Sequence, residues 1–362
     1  MHSEDRTRAR LMVMVSGATV LTFGVISTMT SQARVHQPVV WAAPDRDLPG
    51  HAPTSGGQNQ EGAGNAGRSV AQPMPPSVPR SVAAGAGRLA FSAERNGNTD
   101  IFAINADGTD LQRLTTDPAD DFDPTWSPDG RRIAFRSRGT GPGASDQIYL
   151  INADGSDRVN LTRNAAENWS PAWSPDGSKI AFASSLGGGV MNVHVMNLDG
   201  TDLRRLTQAE GEYPSWSRDG KRIAYASSVG PSASDYEIWT MNADGTHQRQ
   251  LTHNHVDDSS PTWSPDGRHI AFDSQRRGRI AEPGIGPEFE IYVTKANGSR
   301  QRALTRNHKE DRFPSWSADG RRIAWTQDGT IMLMDADGTH QAPLTDDQGP
   351  VHGQFPDWQP TR

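Results

Sequence analysis

The sequence predicts an all-β fold, a six-bladed β-propeller of four-stranded antiparallel blades. Three observations carry the reading: a tryptophan motif recurring at blade length, strand and hairpin signals in step with it, and complementary ends of the array. The motif is Pro-x-Trp-Ser-x-Asp-Gly. It stands at 124–130, 171–177, 214–220, 261–267 and 314–320, with a truncated copy at Pro356-Asp357-Trp358. Its tryptophans, Trp126, Trp173, Trp216, Trp263, Trp316 and Trp358, lie 47, 43, 47, 53 and 42 residues apart, the length of a four-stranded blade.

Each unit opens on the Trp strand and turns through Asp-Gly, where glycine supplies the positive φ of a tight hairpin. An alternating strand follows: 89–91, 133–135, 180–182, 223–225, 270–272 and 323–325, with Ile-Ala-Phe as the commonest form. A loop of variable length leads to a third strand, such as Ile148-Tyr149-Leu150-Ile151, ending in a turn like Asn152-Ala153-Asp154-Gly155. A short fourth strand ends in Leu-Thr, as at Leu114-Thr115 and Leu206-Thr207. The array enters on the second strand type, at Arg88 to Ser92, and leaves on a Trp strand, at Phe355 to Gln359. The last strand is therefore expected to complete the first blade, closing the ring without an open edge.

Composition agrees with this architecture and excludes several function classes. A hydrophobic content of 34%, with 36 Gly and 25 Pro, suits small sheets joined by many turns. A net charge of −7 with both signs dispersed argues against nucleic acid as a partner. The absence of cysteine excludes disulfides, thiolate metal sites, a cysteine nucleophile and a lipidated N-terminal cysteine.

Two segments precede the array. Residues 1–33 place Arg6, Arg8 and Arg10 before an apolar stretch from Leu11 to Ile26, with a small-residue cleavage site at Ser31-Gln32-Ala33. They read as a signal peptide or, uncleaved, a membrane anchor diluted by Ser16, Gly17 and Thr19. Without a twin arginine, the general secretion route is expected. Either reading places the rest in the periplasm, at the cell surface or outside the cell, with membrane contact through this segment alone. Residues 34–86, rich in Pro, Gly, Ser, Gln and Ala, read as a disordered linker, and residues 87–362 as the propeller, expected to be monomeric.

The motifs Trp126 to Gly130, Ile133 to Phe135 and Asn105 to Thr109 resemble the WD40-like repeat of TolB-type propellers over about 87–360. The resemblance implies the propeller and export. TolB of that family is a periplasmic protein with an α/β domain before its propeller, and it works with a peptidoglycan-associated lipoprotein in envelope maintenance. Here the linker stands in that position, so the resemblance leaves membership of that envelope system open. The same repeat precedes hydrolase domains in some peptidases, but no Gly-x-Ser-x-Gly elbow occurs in this sequence.

The repeat tryptophans read as inter-blade packing and the Asp of each Asp-Gly as a turn residue. The connections from Leu-Thr to the next Trp strand are expected at one mouth of the central channel. Six residues before each Trp stand Asp120, Glu167, Glu210, Asp257, Glu310 and His352; one place later come Asp121, Asn168, Asp258 and Asp311. Six-fold placement would bring these toward one ring, favouring a cation, a basic peptide segment or a metal. Alternatively, they hydrogen-bond neighbouring loop backbone. His253, His255, His308 and His352 share these loops, and His255 and His308 are equivalent in adjacent blades. With Gln348 or Asp257 they would form a divalent-metal site; solvated loop histidines are the other reading. The loops between second and third strands vary most: 137–146, 227–235 and 274–288, the last carrying Arg276, Arg277 and Arg279.

The function expected is a non-catalytic scaffold recognising a protein segment, peptide or glycan at this mouth, with no cofactor beyond a possible divalent metal ion. The alternative is a metal-dependent enzyme, lyase or hydrolase, degrading a polysaccharide at the same place.

Overall fold

In a computed structural model the described residues are 87–139, 144–228, 235–276, 288–345 and 352–360. Residues 1–86, Arg277, Arg279 and Gln348 lie outside them, and with them the segments expected to be a signal peptide or anchor and a linker.

Six four-stranded antiparallel sheets follow one another in chain order. The first consists of Arg88–Arg95, Asn98–Asn105 and Gln112–Arg113, with His352–Trp358 paired along the free side of Arg88–Arg95. The C-terminal strand thus completes the first blade, as the ends of the array predict. The other five blades each run from an inner Trp strand outward: Asp121–Trp126, Asn168–Trp173, Glu212–Trp216, Asp258–Trp263 and Asp311–Trp316 begin blades two to six. Each inner strand packs against those of both neighbouring blades, which makes a central channel walled by six strands.

The core lies between blades, because each thin sheet has two faces to bury. Ala90, Ile101, Ala103 and Leu114 of blade one meet Trp126, Ile133, Phe135 and Ile151 of blade two. The same cluster recurs around the ring, and at the closure Leu89, Phe91, Phe102 and Trp358 meet Ile331, Leu333 and Leu344 of blade six. The repeat tryptophans are therefore packing residues.

The recurrent polar residues have equally local causes. The Thr of each Leu-Thr pair accepts the backbone amide of a third-strand residue: Thr115 from Ile101, Thr162 from Ile148, Thr207 from Val193, Thr252 from Ile238, Thr305 from Ile291 and Thr345 from Ile331, at 2.8–3.1 Å. That anchors a fourth strand only two residues long. In the Trp-Ser-x-Asp-Gly turn Asp129 accepts from Ser127 Oγ at 2.7 Å and from the Arg131 amide at 3.1 Å, which holds its carboxyl below the usual range. At Gly155 φ is +87°, and a Cβ would stand 2.4 Å from the carbonyl oxygen of Leu114 in the preceding blade, so only glycine fits.

Candidate functional site at the channel

Each inner strand starts at one mouth of the channel and ends with its tryptophan toward the other. Asp120, Glu167, Glu210, Asp257 and Glu310 stand at the starts, each half-buried. Three of them hold the start of a third strand in the preceding blade: Asp120 accepts the Thr99 amide at 2.9 Å, Glu167 that of Asp146 at 2.8 Å, and Asp257 that of Tyr236 at 2.9 Å. Glu210 accepts from Ser228 Oγ at 2.8 Å, and Glu310 lies 3.6 Å from Arg312 Nη1. Asp120 also pairs with Arg138 at 3.3 Å. The backbone-bonding reading of these acids holds for three, and their part-exposure keeps all five at the mouth.

The next residue in each strand goes elsewhere. Asp121, Asp258 and Asp311 are wholly buried within their blades, and so is Asn168. Arg158 donates to both oxygens of Asp121 at 3.0 and 3.2 Å. Arg276 reaches Asp258 at 2.5 Å, while Trp325 Nε1 and Gln327 Nε2 donate to Asp311 at 2.9 and 2.8 Å. The expectation that both columns converge on one ring is corrected here. The first column precedes each inner strand and stays at the mouth, whereas Asp121, Asn168, Asp258 and Asp311 open their strands and turn into the blade interior. Burial pushes Asp121 up to about 6 despite its arginine, and raises Asp258 and Asp311 as well.

The histidines do not assemble. His253 and His255 are exposed, and His308, with its side chain 76% exposed, lies 3.8 Å from Glu288. The side chain of His352 lies outside the described residues. Among the described residues no three His, Asp or Glu side chains are placed to hold a metal ion.

Two features of the channel escaped the sequence reading. Three residues before each Trp the inner strand bulges, with φ between 50° and 56° at Asp123, Ser170, Tyr213, Ser260, Phe313 and Phe355. These residues line the channel. Phe313 of blade six packs on Phe355 of blade one with ring centroids 3.9 Å apart and lies 6.4 Å from Tyr213 of blade four, forming an aromatic cluster in the channel. The signal was present as a column that varies in kind beside an unvarying proline.

The second feature is a buried charge network above the bulge. Arg136 lies 3.3 Å from Asp123 and 3.4 Å from Asp146, with its guanidinium over the rings of Phe122 and Trp169. One cation thus serves two carboxylates. Glu212 is buried close by, with Tyr236 Oη at 3.5 Å, and desolvation together with Glu210 pushes its carboxyl up to about 7. Arg312 lies over Phe289 and Phe313 and 3.9 Å from Asp273.

The TolB beta propeller domain family matches residues 77–232 and 214–361 of the chain. The chain belongs to that family. Among solved structures this TolB-family propeller is similar to TolB from Acinetobacter baumannii, with 22% identity and a TM-score of 0.62 over 76% of this chain and 67% of that one. The putative TolB from Agrobacterium tumefaciens shows 22% identity and a TM-score of 0.60 over 76% of this chain and all of that one. A chain of a nidogen/laminin complex shows 12% identity and a TM-score of 0.60 over 75% of this chain and 98% of that one. At these identities the likeness is one of fold. No curated protein matches the sequence.

Proposed function

We propose that this TolB-family propeller is an exported binding scaffold whose acidic mouth takes a basic segment of a partner protein. The observation that carries the reading is the column Asp120, Glu167, Glu210, Asp257 and Glu310, half-buried carboxylates held at equivalent positions around one opening. Carboxylates fixed on a rigid ring sum to a negative potential over the opening, which attracts and orients a cationic segment. Behind them Glu212 is buried, and desolvation first and the neighbouring Glu210 second push its carboxyl up. The export reading rests on the apolar stretch after Arg6, Arg8 and Arg10.

The test is titration of a fluorescent Lys/Arg-rich peptide and its acidic counterpart at several salt concentrations. The basic peptide is expected to bind with an affinity that falls steeply with salt, and Glu167→Lys with Asp257→Lys to weaken it at least tenfold. Equal binding of both peptides, or indifference to the charge reversal, would reject the reading.

A further inference from the structure

At the Trp ends of the inner strands, away from the acidic column, the channel opens into a cavity of about 340 Å³ rimmed by Pro128, Pro175, Pro265 and Pro360. A second cavity of about 600 Å³ lies beside it, between the turns of blades three and four, and shares Pro175, Trp216 and Arg218 with the first. Its size falls within the about 300–1,000 Å³ typical of small-ligand sites.

This second cavity stands where the repeat is broken. The residue opening each second strand donates its amide to the Ser Oγ of the preceding turn, so Arg132, Lys179, Arg222, His269 and Arg322 are equivalent. Three of them are arginines whose guanidinium lies over the repeat tryptophan of the next blade: Arg132 over Trp173 at 5.2 Å, Arg222 over Trp263 at 4.6 Å and Arg322 over Trp358 at 4.8 Å. Those tryptophans are buried. Between blades three and four the equivalent residue is Lys179, and its Nζ is drawn off to Asn197 Oδ1 at 2.6 Å and to Asp202 at 3.1 Å. Trp216, which no arginine covers, is only half-buried; so is Trp316, which follows His269.

A second break lies two residues on. Between the Ser and Asp of the Trp-Ser-x-Asp-Gly turn stand Pro128, Pro175, Pro265 and Ala318, but blade four has Arg218. Arg218 is exposed and makes no hydrogen bond or ion pair among the described residues. The carboxylates near it are fixed by their turns. Asp219 accepts from Ser217 Oγ at 2.7 Å and the Lys221 amide at 3.1 Å, and Asp244 from Thr246 Oγ1 at 2.6 Å and its amide at 2.9 Å, all through Oδ1. Both residues are exposed, and neither Oδ2 makes a hydrogen bond among the described residues.

We infer that this junction binds a neutral pyranose sugar, stacked on Trp216, with Arg218 donating to its hydroxyls and Asp219 and Asp244 accepting from them. A pyranose presents an apolar face of C–H groups and a rim of hydroxyls, each both donor and acceptor. A half-exposed indole ringed by fixed donors and acceptors meets both demands. Charge points to a neutral ligand, because Lys179, Arg204 and Arg218 line the wall against Asp176, Asp219 and Asp244 and the two signs cancel.

The probes are glucose, cellobiose, maltose and N,N′-diacetylchitobiose, with cyclohexanol as a ring lacking the hydroxyl rim. Each is titrated into the purified protein and followed by calorimetry and by the Trp216 indole N–H resonance. At least one sugar is expected to bind saturably, at least tenfold more tightly than cyclohexanol, and to shift that resonance. Trp216→Ala should abolish binding, but Trp216 also packs against the core of blades three and four, so two substitutions that restore the repeat carry the test. Lys179→Arg should return a guanidinium to the indole, and Arg218→Pro should remove the free donor. Each should keep the parent's circular dichroism and weaken binding at least tenfold. Failure of every sugar to bind, equal binding of cyclohexanol, or an affinity unmoved by both repeat-restoring variants would overturn the inference. So would tighter binding of glucuronate or glucosamine than of glucose, because the site would then select charge. Loss of sugar binding in Glu167→Lys with Asp257→Lys would also overturn it, by placing the sugar at the acidic mouth. Cellobiose set beside glucose separates the two sources of a pyranose: a tenfold advantage for the disaccharide supports a glycan chain, and equal affinity supports a free sugar.

Discussion

Glu212 shows how a single residue records its surroundings. Its carboxyl is buried beside Glu210 without an ion pair among its described contacts, and it stands at about 7 instead of 4.5. A carboxyl raised on folding binds its proton more tightly in the native state, so stability falls as pH rises from about 4.5 to about 7 and is level above. Glu212→Gln removes this dependence and is expected to raise stability at pH 8 by about 3 kcal/mol at most, the equivalent of the shift. Chemical denaturation at pH 5 and pH 8 checks it: the gain should vanish at pH 5. Arg158 makes the opposite case. It donates to both oxygens of buried Asp121, and it also touches Asp117 and Ser137. Arg158→Ala strands that carboxylate and is expected to cost about 3 kcal/mol, measured by urea unfolding near neutral pH.

At the scale of elements, the closing strand His352–Trp358 does two jobs. Its backbone completes blade one, and its side chains bridge both neighbours. Asp357 accepts the Trp126 amide of blade two, and Trp358 N donates to Ser315 Oγ of blade six at 3.4 Å. Trp358 also fills the space between blades one and six. Trp358→Ala is expected to cost about 3–5 kcal/mol, in the range of large buried truncations. Truncation before Pro350 should do more, lowering the melting temperature strongly, because the inner edge of Arg88–Arg95 would lie bare. An unchanged calorimetric melt in either variant would refute the latch. The fourth strands depend on their threonines in the same way. Thr252→Val leaves the Ile238 amide buried and unbonded, with an expected cost of about 1–3 kcal/mol.

For the whole molecule, the ring sets two unlike openings back to back. One carries the acidic column, the other the proline-rimmed cavity, with the bulge and its aromatic cluster between them.

The blade count, closure by the C-terminal strand and turn chemistry followed from the sequence by itself, because their causes are local or periodic. A Trp recurring at blade length and a Leu-Thr pair need no long-range information. The acidic column was legible for the same reason. Its neighbour column was misplaced because the face of a strand depends on where the strand begins: Asp120 precedes the strand and Asp121 opens it. The backbone bulge at Asp123 and the pairing of Arg158 with Asp121 across 37 residues were decided only by tertiary structure. The bulge recurs in every blade on residues as unlike as Asp, Ser, Tyr and Phe, so no residue type announces it, and the arginine meets its carboxylate only once the strands of its blade have paired.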